Sequence, residues 1–164
     1  MLWELSVIPM ILNNADTWND IDKDTLKTLD DLQHMIIQYL FDTPRTTPRP
    51  ALCWDTGLLP MKYRLLTKQL NLVHHISSLE SDSLAKEVFE IQKKYSFPGL
   101  ISESKAKLDK LNLPNIIENA KIKISNMSFN SQVKIAVIDD CEKELKNDMM
   151  SLNKLKDGPM VNTQ

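Results

Sequence analysis

Glycine is nearly missing from this chain: its 164 residues contain three. So few tight-turn residues argue against a sheet-and-hairpin architecture and for helices. Cysteine is scarcer still. Cys53 and Cys141 lie far apart in sequence and outside any paired spacing. That pattern gives no disulfide framework and fits a reducing intracellular compartment, cytoplasmic or nuclear. No apolar run approaches the roughly 20 residues of a membrane span. The N-terminus lacks a basic region, carries Glu4 and has Pro9 inside its apolar run, so no signal peptide is expected. An excess of one charge is lacking too: 20 Lys and Arg stand against 22 Asp and Glu, for a net charge of −2. A global electrostatic attraction to nucleic acid is excluded, and any basic footprint must be local. There is no Walker loop, Gly-rich dinucleotide fingerprint or Gly-x-Ser-x-Gly elbow, and no internal repeat.

What is present is leucine-rich helical periodicity, enough for an all-α, single helical domain of about six helices. Residues 1–12 are apolar and read as a buried helix interrupted near Pro9, with Trp3 and Trp18 in the core and Ile21 sealing one end. Residues 16–31 are acidic. Asp22 or Asp24 can cap a helix over about 23–41, with Leu26, Leu29, Leu32, Ile36, Tyr39 and Leu40 on its inner side. The acids are spread round a helix start, as on a solvated face rather than a magnesium site. Residues 41–51 carry Pro44, Pro48 and Pro50 and read as a stiff extended connector. Arg45 and Arg49 sit in it, either as solvated residues or as phosphate contacts.

Gly57 suits a turn and Pro60 the first turn of a long helix over about 60–79. At about 100° per residue, Leu58, Leu65, Leu66, Leu72, Val73 and Ile76 share one side, and Arg64, Lys68, Asn71 and His75 line the opposite one. No acid occurs between Asp55 and Glu80. A shorter helix follows, capped by Ser81 or Ser83, with Leu84, Val88, Phe89, Ile91 and Tyr95 at near-helical spacing, stopping near Ser96. Beyond Pro98 come a modest helix over 102–111, an apolar start at Ile116 and Ile117, and a lysine-rich stretch to Ile124. Residues 126–130 read as a break. A last long helix over about 132–152 follows, with Ile138, Cys141, Leu145, Met149 and Leu152 as its stripe.

No catalytic or metal constellation assembles from these residues. His74 and His75 are adjacent, so on a helix they point about 100° apart and cannot share one ion without a third ligand. His74 reads as partly buried, and His75 as part of the polar stripe. Nothing in sequence places Cys53 beside a base. Ile138-Asp139-Asp140 lies in a helical pattern, not a hairpin, and reads as solvent-side acids. No cofactor is expected. What remains is the stripe with Lys62, Tyr63, Arg45 and Arg49 nearby: either a solvated face or a surface neutralising nucleic-acid phosphates.

The order Trp54-Asp55-Thr56-Gly57-Leu58-Leu59-Pro60, then Lys62-Tyr63-Arg64, then His74-His75-Ile76 resembles the region after the palm in non-LTR (LINE-type) retrotransposon reverse transcriptases. Leu2-Trp3 through Pro9 to Thr17-Trp18 is similar to that family's segment just after the palm. The helix with Leu29, Gln33 and Ile36, followed by Thr43-Pro44 and Thr47-Pro48, is similar to its next step. Glu90-Ile91-Gln92-Lys93 resembles its following short helix, and the stretch from Lys121 to Lys156 its closing tail. The likeness spans nearly the whole chain, loosely; Asp55 stands where relatives often have Glu.

The resemblance implies a thumb-like helical domain over 1–97, with its basic helix at 60–79, a C-terminal helical extension over 98–157 and a frayed tail over 158–164. It implies a fragment without the palm and fingers of its parent, hence without polymerase activity of its own. The implied partner is an RNA–DNA or RNA template–primer, its phosphates contacted by Arg45, Arg49, Lys62, Arg64, Lys68 and His75. Two other classes compete. A helical protein–protein interaction module, or a remnant with no selected role, would have to cover the apolar N-terminal run by itself or with a partner. An independent enzyme lacks an assembled catalytic group.

Overall fold

A computed structural model describes residues 6–18, 21–96, 98–118 and 124–156, the side chains of 153–156 excepted. All regular structure among them is helical: α1 (Ile8–Ile11), a 3-10 turn (Ala15–Thr17), α2 (Lys23–Leu40), α3 (Arg49–Thr56), α4 (Met61–Ser78), α5 (Leu84–Tyr95), α6 (Leu100–Lys110) and α7 (Asn126–Lys156). The chain is therefore all-α. No helix among the described residues is long and apolar enough to cross a membrane.

Local chemistry sets the boundaries. Asp22 caps α2: the Thr25 amide donates to Oδ1 at 2.7 Å and the Thr25 hydroxyl to Oδ2 at 2.6 Å. Gly57 ends α3 at φ +66°, in the left-handed region where a Cβ is strained. Pro60 precedes α4 with extended backbone, and the Met61 amide, one of the unpaired donors of a helix start, reaches Asp30 Oδ1 on α2 at 2.9 Å. Ser125 opens α7: its hydroxyl accepts from the Ser128 amide and its carbonyl from the Phe129 amide.

The core has two parts. One gathers Ile8, Leu12, Ala15, Ile37, Leu52 and Leu58 around Met61 and Leu65 of α4. The other gathers Phe89, Ile101, Leu108, Ile116 and Ile117, and the α7 row Phe129, Val133, Val137 and Cys141, around Tyr63, Leu70 and Val73 of α4. Among the described residues of the helices, those of α4 alone contribute buried side chains to both. Trp18 and Ile21 pack against the first part, as expected; Trp3 lies outside the described residues.

Several expectations are corrected. The apolar start is not buried throughout, since Met10 is exposed, and residues 1–5 lie outside the described residues. Pro9 follows the π-helical residues 6–7 and lies in the first turn of α1, where its missing N–H costs nothing. For the same reason Pro50 belongs to α3, so residues 49–56 form a helix and not the end of an extended connector. Tyr39 (86 % exposed) and Leu40 face solvent, and Gln33 and Ile37 take the buried positions on α2. α5 buries only Phe89. Residues 126–130 are helical, not a break, because Phe129 is fully buried and anchors the first turn of α7. Ile138 is exposed and Val137 takes the buried position; Cys141 is buried and Leu145 packs against the core, as expected, and the row extends back through Val133 to Phe129.

Candidate nucleic-acid interface

α4 presents the expected stripe, but its neighbours engage much of it. Lys62 forms an ion pair with Glu144 of α7 and lies 4.9 Å from the centroid of the Tyr63 ring. Tyr63 is buried, which removes it as an aromatic for stacking bases. Its hydroxyl donates to Glu144 Oε2 at 2.5 Å and more distantly to Asp140 Oδ2 at 3.4 Å. Burial first, then the hydrogen bond to the Glu144 carboxylate, pushes the phenol far above its ordinary value. Burial also opposes ionisation of Glu144. The hydrogen bonds from Lys62 and Tyr63 and the lysine's charge outweigh it, and the carboxyl lies below its usual value. Lys110 reaches Asp140 Oδ2 at 2.9 Å, so Asp140 is bound by α6 and α4 and is not a free solvent-side acid.

Further along, Arg64 Nε donates to the Leu59 carbonyl at 3.0 Å, which turns the guanidinium back toward the start of its own helix. Asn71 Nδ2 donates to Asn130 Oδ1 at 3.2 Å and joins α4 to α7. Lys68 is half-buried and makes no ion pair among the described residues; His75 is exposed. His74 is buried at 5 % exposure, as expected, and stacks on Phe129 with ring centroids 4.2 Å apart. Burial lowers its pKa, against hydrogen bonds with Asn126 and the Ile124 backbone that raise it.

On the preceding segment Arg45 is exposed in the turn between α2 and α3. Arg49 opens α3 and forms an ion pair with Asp31 of α2, an acid the connector reading did not supply. The six candidate cations therefore differ in what engages them. Arg45, Lys68 and His75 remain open to solvent in whole or part, while Arg49, Lys62 and Arg64 are held by neighbours.

A cavity of about 450 Å³ opens beside α4, lined by Lys62, Gln69, Lys107, Lys110, Asp140 and Glu144 among others. Its lysines are compensated. Lys107 lies 3.3 Å from Glu103 and donates to Gln69 Oε1 at 3.0 Å, and Gln69 also donates to the Trp18 carbonyl. Trp18, Ile21, Leu26, Leu65, Leu66 and Leu111 complete the wall, so the cavity joins an apolar lining to paired polar groups, with no uncompensated charge to select an anion. The acids on its α7 side, Asp140 and Glu144, are four residues apart and so share one helix face, a spacing visible in sequence. Among the described residues no group of three or more His, Cys, Asp or Glu is placed to hold a metal ion. No family model, curated protein or solved structure matches the chain.

Proposed function

We propose that this chain is a non-catalytic helical part of a retroelement reverse transcriptase, and that α4 contacts the sugar–phosphate backbone of a template–primer. The order of the motifs from Leu2 to Lys156 supports the first half of this reading. One observation carries the second: α4 is an 18-residue helix with no acid of its own, and its outward stripe leaves Lys68 without an ion pair among the described residues, in line with the exposed His75 two turns on. Arg45 is also exposed. The Arg49–Asp31 and Lys62–Glu144 pairs are at least one-third exposed on both sides. Pairs of that kind contribute roughly 0–1 kcal/mol, so a phosphate can displace the carboxylate.

The test is binding of an RNA–DNA hybrid titrated across salt. Log affinity should fall linearly with log salt. Lys68→Ala and Arg45→Ala should each reduce the slope by about 1, as one lost phosphate contact does. A wild-type chain that does not bind at low salt, or variants with an unchanged slope, would overturn the reading. A second reading, a module that binds proteins, is favoured by one observation: α5 turns a row of large apolar side chains to solvent.

A further inference from the structure

α5 is amphipathic, yet its apolar row is on the wrong side for the core. Leu84 is 74 % exposed, Val88 45 %, Ile91 45 % and Tyr95 61 %, while Phe89 alone is buried. Their spacing of four, three and four residues is that of the a and d positions of a helix pair, which gather into one narrow ridge along the helix. We propose that this ridge pairs antiparallel with the same ridge of a second copy of the chain, about a two-fold axis near the middle of α5. The proposal does not rest on nucleic-acid contact by α4.

Charge identifies the occupant and the direction. With Leu84 and Ile91 as d, and Val88 and Tyr95 as a, one flank of the ridge carries Glu87 and Lys94, both at g. Both are exposed, and neither forms an ion pair among the described residues. The other flank carries Ala85 and Gln92, both at e. It faces a groove that also exposes parts of Leu72, Ile76 and Leu100. In an antiparallel pair each flank meets its own copy in reverse order. Glu87 then faces Lys94 of the second copy, and the two-fold axis repeats the contact. The neutral flank meets only itself. The apolar layers become Leu84 against Tyr95 and Val88 against Ile91. A parallel pair would instead set Glu87 and Lys94 against the uncharged flank and stack Tyr95 on Tyr95. The surface is self-complementary in one orientation only.

The size of the contact sets its strength. Twelve residues of helix are about 18 Å long, so two such ridges, even with the groove beside them, cover less than the roughly 1,600 Å² of a standard stable interface. The dimer should be reversible and governed by protein concentration.

The experiment is sedimentation of the full chain from low micromolar to high hundreds of micromolar. The wild type should pass from monomer to dimer across that range. Val88→Glu, which would bury an unpaired carboxylate at the centre of the ridge, should raise the dissociation constant more than about tenfold. Glu87→Lys alone and Lys94→Glu alone should each weaken dimerisation, because each sets like charges opposite one another. Glu87→Lys with Lys94→Glu in the same chain should restore it, since the pair is only reversed. Circular dichroism should be unchanged for these exposed substitutions. A wild type that stays monomeric throughout, a dimer indifferent to Val88→Glu, or a double exchange no better than either single one would each overturn the proposal.

Discussion

Cys53 and Cys141, remote in sequence, line one cavity of about 280 Å³ between α3 and α7 together with Trp54 and Leu145. Both thiols are buried. Burial raises the Cys53 thiol above its ordinary value and pushes Cys141 up to about 11. Little thiolate exists at neutral pH, so both should react slowly with a disulfide reagent in the native protein and rapidly once it is unfolded. A thiol titration with and without denaturant checks this; fast native labelling of either would contradict it. His74 carries a pH dependence of known sign. Its folded pKa lies below the unfolded 6.5, so the unfolded chain binds the proton first. Its contribution to stability is complete above pH 6.5 and is lost as pH falls toward the lowered value. His34 is shifted in the same direction, mainly by burial and then by Arg49. Denaturant midpoints measured at about pH 7 and about pH 5.5 should therefore drop with acidification. His74→Phe, which can keep the stack on Phe129, should make the drop smaller. The division between His74 and His75 is legible in sequence, because helical phase alone separates neighbours. The fate of Tyr63 is not, because its partners Asp140 and Glu144 arrive from a helix far along the chain.

At the scale of elements, α4 shows what local signals can define. Its expected span, 60–79, nearly coincides with Met61–Ser78, because Pro60 sets the start and an unbroken run of helix formers follows. α3 was hidden by its own prolines. Pro48, Arg49 and Pro50 suggest an extended connector, yet Pro48 caps the helix and Pro50 fits its first turn. α5 illustrates a deeper limit. Periodicity marks an apolar face on Leu84, Val88, Ile91 and Tyr95 but says nothing of what covers it, and the core takes only Phe89. The turn from α3 to α4 depends on Gly57. Nothing lies within 4 Å of a Cβ built there, so Gly57→Ala brings backbone strain without a clash. Left-handed backbone costs an ordinary residue about 1–2 kcal/mol, and chemical denaturation should show a loss of that order with the helical content kept.

The molecule as a whole rests on α4 and α7. Phe129, Val133, Val137 and Cys141 form a buried row one turn apart along α7, packed with Tyr63, Leu70 and Val73 of α4. Phe129 is fully buried at the head of that row and also supports His74. Phe129→Ala should cost about 3–5 kcal/mol, measured as a lower denaturant midpoint. A loss under 1 kcal/mol would mean that the first turn of α7 is not anchored there. All-α class was readable from three glycines and strong helical periodicity. The meeting of α4 with α7 was not, because contacts across such sequence distances leave no local pattern.

That α4 alone, among the described residues of the helices, joins both parts of the core has a consequence in time. Neither part can open fully while the other holds this helix, so the amide hydrogens of Leu65 to Val73 should be released to deuterium only when the whole chain unfolds. Amides of α5, which is fastened by one buried ring, should exchange through local opening long before.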